Sequence, residues 1–79
     1  MTKNEIETAV FEALRRIAPE VIPRQIDPKA NLREAAEIDS FDFLNFLIEL
    51  HKRLGVEIPE ADYAKVATLE TLVRYLEAK

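Results

Sequence analysis

The sequence predicts an all-α fold, a small bundle of three main helices plus one short helix, on three observations. Three segments repeat apolar residues at three- and four-residue spacing, the period of a helix face. Each of these segments is preceded by a residue able to cap a helix N-terminus: Thr2, Asp39 or Thr68. Between the first two segments lies a proline-bearing stretch in which no helical period persists. With 79 residues the chain is read as a single domain, 1–79, burying only about 60 % of the surface its unfolded form exposes. A deep, dry catalytic pocket is not expected in so small a core.

The first helix is expected over residues 3 to 18. Ile6, Val10, Leu14 and Ile17 share one face, Thr2 with Glu5 fits a capping box, and Pro19 marks the end. Residues 19 to 38 read as a long loop, because Pro19, Pro23 and Pro28 each disfavour helix in the residue before them. Val21, Ile22, Ile26 and Leu32 are apolar and available to pin that loop against the bundle.

The second main helix starts at Ser40, with Asp39 as N-cap and Asp42 in the first turn, and stops at Gly55, the only glycine in the chain. Phe41, Phe43, Leu44, Phe46, Leu47, Ile48, Leu50 and Leu54 spread over roughly 220° of this helix, wider than one buried stripe. Something besides the core must cover part of that arc. After Ile58-Pro59 a short helical turn, Glu60 to Val66, places Tyr63 and Val66 on one face. Thr68 caps the last helix, where Leu69, Leu72, Val73 and Leu76 repeat at i, i+3, i+4 and i+7.

Composition excludes several classes. No stretch approaches the roughly 18 consecutive apolar residues of a bilayer crossing, and Met1 to Glu5 lack a signal peptide's apolar run, so a cytoplasmic protein without stable membrane association is expected. A net charge of −4 with no basic stripe argues against nucleic acid. From Arg33 to Glu49 five carboxylates (Glu34, Glu37, Asp39, Asp42, Glu49) face one basic residue, a segment toward which a basic partner would be steered. There is no cysteine, so any thiol chemistry must be imported.

The residues offer little catalysis of their own. His51, the sole histidine, lies eleven residues after Ser40 on the same expected helix, roughly 16 Å along its axis, which rules out a Ser-His pair and suits a solvated histidine near the helix end. One histidine and no cysteine leave no metal-ligand set, and one glycine cannot build a phosphate-cradling loop. Neither catalytic nor metal-binding residues are expected. Ser40 is different: at the end of a long loop and the start of a helix, its hydroxyl is expected to be exposed, and a phosphate on it would meet unpaired N–H groups and the positive helix end. By itself Asp39-Ser40 also reads as an ordinary helix start.

The stretch Asp39-Ser40-Phe41-Asp42 resembles the acyl carrier protein family, whose signature is Asp-Ser-Leu at the start of its second helix. The register continues on both sides. Ile26 to Leu32 is similar to the family's loop before the motif, Leu54-Gly55-Val56-Glu57-Ile58-Pro59 to its helix exit, and Thr68, Leu72, Val73, Tyr75 and Leu76 to its last helix. The resemblance implies an acyl-carrier-protein-like bundle that is not an enzyme. It implies Ser40 as the attachment point of 4′-phosphopantetheine, added by a phosphopantetheinyl transferase, with an acyl group held as a thioester and presented to acyl-transferring or acyl-modifying enzymes. Asp39 and Asp42 match acidic positions that help partners dock, and Phe41, Leu44 and Ile48 match apolar positions presented to partners. Core packing is an equal alternative for Leu44 and Ile48. A monomer is expected.

The chain departs from the family pattern at Glu37, where a glycine is usual, at Ala36, Phe41 and Phe43, and at His51-Lys52-Arg53, where the family has a run of glutamates. These departures point to a carrier dedicated to a specialised lipid or secondary-metabolite pathway. An aminoacyl or D-alanyl carrier, and an unmodified helical adaptor of the same fold, are the alternatives.

Overall fold

The computed structural model describes residues 2–79. Helix α1 spans Lys3–Ile17, α2 Leu32–Ala35, α3 Ser40–Leu54 and α4 Leu69–Glu77, with a 3-10 turn at Pro23–Gln25 and a longer 3-10 helix at Glu60–Val66. The three main helices and the short element after Pro59 stand where the apolar period places them.

Caps fix the starts. The Thr2 hydroxyl accepts from the Glu5 N–H while the Glu5 carboxylate reaches back to the Thr2 N–H, a complete capping box. Thr68 and Thr71 make the same exchange at the start of α4. At the end of α3, Gly55 takes a left-handed conformation, φ 69°, and its N–H donates to the His51 carbonyl at 2.8 Å.

The long loop expected over residues 19 to 38 contains a one-turn helix, α2. Asn31 caps α2, its side chain accepting the Glu34 N–H at 3.1 Å. The helix closes by a Schellman arrangement, in which the Ile38 N–H donates to the Arg33 carbonyl at 2.9 Å and the Glu37 N–H to the Glu34 carbonyl at 3.2 Å. That closure requires a left-handed residue, and Glu37 supplies it at φ 56°. At this position, where a glycine is usual in the family pattern, the glutamate itself takes the left-handed conformation that glycine adopts without strain. Leu32 is fully buried and Val21 and Ile26 pack against the core as expected, but Ile22 does not: it is 56 % exposed, turned outward by the 3-10 turn that follows it.

The core joins Ile6, Val10, Ala13 and Leu14 of α1, Phe46, Leu47 and Leu50 of α3, and Leu69, Leu72 and Leu76 of α4, with Leu32 and Val66 closing the ends. α1 packs on both α3 and α4, whereas the 3-10 helix packs mainly on α4. Outside the core, Arg53 reaches Glu12 of α1 at 3.0 Å and Glu49 at 3.3 Å, and Arg16 reaches Glu49 at 3.7 Å. The basic turn at the end of α3 is therefore partly spent inward: Arg53 clasps α1, and only His51 and Lys52 are left facing solvent without such a pair.

Candidate functional site

α3 begins where α2 and its Schellman closure deliver the chain. The Asp39 carboxylate accepts the Asp42 N–H at 2.8 Å, and the Asp39 carbonyl accepts the Phe43 N–H at 3.0 Å. Asp39 is thus occupied as the cap that squares the first turn, while the N–H groups of Ser40 and Phe41, as first-turn donors, have no acceptor inside the helix. Ser40 is exposed at this end, and Asp42, two residues on, is half-buried.

In front of Ser40 runs a groove of about 630 Å³ between α3 and the 3-10 helix. Phe41, Phe43 and Leu44 form one wall, Tyr63, Ala64 and Ala67 the other, and Asn31 and Arg33 of the α2 segment lie at the margin with Glu60. A smaller recess of about 270 Å³, lined by Leu47, Ile48, His51, Ile58 and Tyr63, continues along α3 and shares Tyr63 with it. The floor is closed by Phe43, itself buried and tilted against Phe46 with ring centroids 6.0 Å apart.

The arc that was too wide for one core divides in two. Phe43, Phe46, Leu47 and Leu50 are buried, whereas Phe41 is 68 %, Leu44 38 % and Ile48 44 % exposed. Spaced three and four apart from Leu44, these three lie along one flank of α3 beginning next to Ser40. Core packing, the alternative for Leu44 and Ile48, is not what the fold uses them for. Asp39 caps the same end, whereas Asp42 turns to the other side of α3, toward the recess lined by Ile17, Val21 and Ile38.

The opposite wall was not foreseen. Tyr63 and Val66 do share one face, since residues three apart eclipse in a 3-10 helix; Val66 is buried in the core, and half-buried Tyr63 packs at the core's edge and lines the groove as well. Ala64 and Ala67 carry the only available signal, two small residues where a groove needs room. The wall is held to α4 by a short hydrogen bond from the Tyr75 hydroxyl to Asp62 at 2.6 Å, with Lys65 on the other carboxylate oxygen at 3.3 Å. The Tyr75 bond, foremost, and Lys65 hold the Asp62 carboxyl below its ordinary value.

His51 is exposed in the last turn of a continuous α3, a full helix away from Ser40, so no Ser-His pair exists. Among the described residues no cluster of metal-ligating side chains is present, and no helix is long and apolar enough to cross a membrane.

Residues 12–76 match the family model described as a phosphopantetheine attachment site. An acyl carrier protein of Rubrobacter xylanophilus is 36 % identical over 52 residues, 66 % of this chain and 64 % of that protein. One from Wolinella succinogenes is 28 % identical over 72 residues, 87 % of this chain and 95 % of that protein. The meromycolate extension acyl carrier protein of Mycobacterium leprae is 25 % identical over 77 residues, covering 98 % of this chain and 66 % of that longer protein.

The group such a family carries is 4′-phosphopantetheine, covalently attached, and the residues at the start of α3 fit it. An exposed hydroxyl stands at the mouth of a long apolar groove, beside unpaired backbone donors that favour a phosphodiester. The matched stretch runs from within α1 almost to the end of α4 and so takes in every element that builds this mouth, and the chain belongs to the acyl carrier protein family.

Proposed function

We propose that Ser40 is the residue bearing 4′-phosphopantetheine, attached by a separate phosphopantetheinyl transferase, and that the single-domain chain is a carrier which catalyses no reaction itself. The observation that carries this reading is the exposed Ser40 hydroxyl at the mouth of the groove between α3 and the 3-10 helix, inside the matched stretch. When bound, the group supplies the thiol that holds an acyl cargo as a thioester, which a chain without cysteine lacks.

The chain's own residues do the rest. Asp39 holds the first turn square so that the Ser40 hydroxyl points outward, and Asp39 and Asp42 give this end a negative potential that draws basic partner surfaces. Phe41, Leu44 and Ile48 give acyl-transferring and acyl-modifying enzymes an apolar flank to dock against. The groove walls give an acyl chain a place to lie out of water. The outward-facing His51 and Lys52, where the family has glutamates, support a carrier of a specialised lipid or secondary-metabolite pathway; the proposed carrier works as a monomer in the cytoplasm.

Co-expression with a broad-specificity phosphopantetheinyl transferase should raise the intact mass by one phosphopantetheinyl group, with no gain in Ser40→Ala. An unchanged wild-type mass with several such transferases would overturn the reading. The exposed stripe alone also suits an unmodified adaptor, which would bind its partner equally well with Ser40→Ala and lose it with Leu44→Asp or Ile48→Asp. A carrier loses productive transfer with all three.

A further inference from the structure

We propose that Arg33 anchors the phosphodiester of the arm, holding it over the groove; the inference rests on attachment at Ser40. Three observations lead to it. Arg33 is the only cation lining the groove that opens in front of Ser40. Its backbone is fixed with respect to that serine, since its carbonyl accepts the Ile38 N–H in the Schellman closure and its neighbour Leu32 is fully buried. Among the described residues its side chain makes no ion pair or hydrogen bond, as is true also of Arg15 and Arg24, but neither of those lines the groove, and Arg16, Arg53 and Arg74 are all paired.

The surroundings make a cation there consequential. A phosphodiester on Ser40 places a permanent negative charge in the most acidic stretch of the chain, with Asp39 and Asp42 on α3 and Glu60 at the groove margin. Left uncompensated, these carboxylates would push the phosphate away from the protein. Arg33 is the single basic residue of that stretch, and a guanidinium presents a planar pair of donors matched to two phosphate oxygens. The arm would then leave the phosphate directed along the groove.

The test uses the full chain loaded by a phosphopantetheinyl transferase, as wild type, Arg33→Gln and Arg33→Lys. Intact mass is read first: a wild type that takes up no group refutes attachment, independently of Arg33. On the loaded proteins the ³¹P shift of the phosphodiester is measured in low and high salt, with the urea-unfolded protein as reference. In wild type the native signal should be displaced from that reference and move back as salt screens the pair. Arg33→Gln should lose most of the displacement, and Arg33→Lys should keep part of it. Because Arg33 is exposed, both variants should unfold at nearly the wild-type urea midpoint. Equal displacement in all three loaded proteins, or a loss in Arg33→Lys as deep as in Arg33→Gln, would overturn the proposal.

Discussion

Glu37 and Gly55 occupy the same left-handed region of backbone space, φ 56° and 69°, and each ends a helix there. For glycine the conformation is free of strain, and a Cβ at Gly55 would meet nothing within 4 Å, so Gly55→Ala tests conformation alone. It should lower stability by about 1 kcal/mol in urea unfolding. Glu37 carries the corresponding strain in the wild type. Replacing it with glycine relieves that strain while making the unfolded chain more flexible, and the balance should be a gain of about 0.5–1 kcal/mol. A stability unchanged or lowered in Glu37→Gly would mean that the glutamate side chain is held in place by more than the backbone.

The same residue explains what the sequence concealed. α1, α3 and α4 were legible because each joins an apolar period to a cap at its start. α2 has only one turn, too short for a period, and the residue that ordinarily announces a helix end is here a glutamate. The α3 side of the site was legible too, since an apolar arc too wide to bury already implied an exposed flank. Its far wall was not, because Tyr63, Ala64 and Ala67 acquire a common role only when α4 brings the 3-10 helix alongside α3. At the scale of that element, the bond from Tyr75 to Asp62 is the main polar tie. Since the folded-state carboxyl lies below its unfolded value, the tie stabilises the fold fully above the unfolded value near 3.8 and fades as pH falls below it toward the folded one. Tyr75→Phe should therefore lower the thermal midpoint at neutral pH, with the difference from wild type shrinking in scans taken below pH 4. A constant difference across that range would assign the loss to packing rather than to the carboxylate.

Across the whole molecule no disulfide shares the load, and the bundle stands on one layer of aliphatic and aromatic side chains. A chain of this length has a total stability of about 4–12 kcal/mol. Phe46 is fully buried at the meeting point of the helices and touches Phe43 beneath the groove. Phe46→Ala should cost about 3–5 kcal/mol, enough to leave a substantial unfolded fraction at moderate temperature by circular dichroism. Phe41→Ala, on the exposed flank, should leave the unfolding free energy measured in urea within about 0.5 kcal/mol of wild type.

The far wall of the groove is also tied at one end to the α2 segment. The Leu32 N–H donates to the Ala67 carbonyl at 2.8 Å, the Glu70 N–H to the Pro28 carbonyl at 3.0 Å, and Asn31 and Thr68 form an isolated bridge. This backbone seam lies beside Arg33 and Ala67, next to the Ser40 mouth, while among the described residues the Pro59 end of the 3-10 helix has no backbone hydrogen bond to α2. The seam therefore restrains the far wall at its Ala67 end and leaves the Pro59 end without that tie. The segment that delivers the chain to Ser40 is thus braced by the start of α4 as well as by its own helix closure.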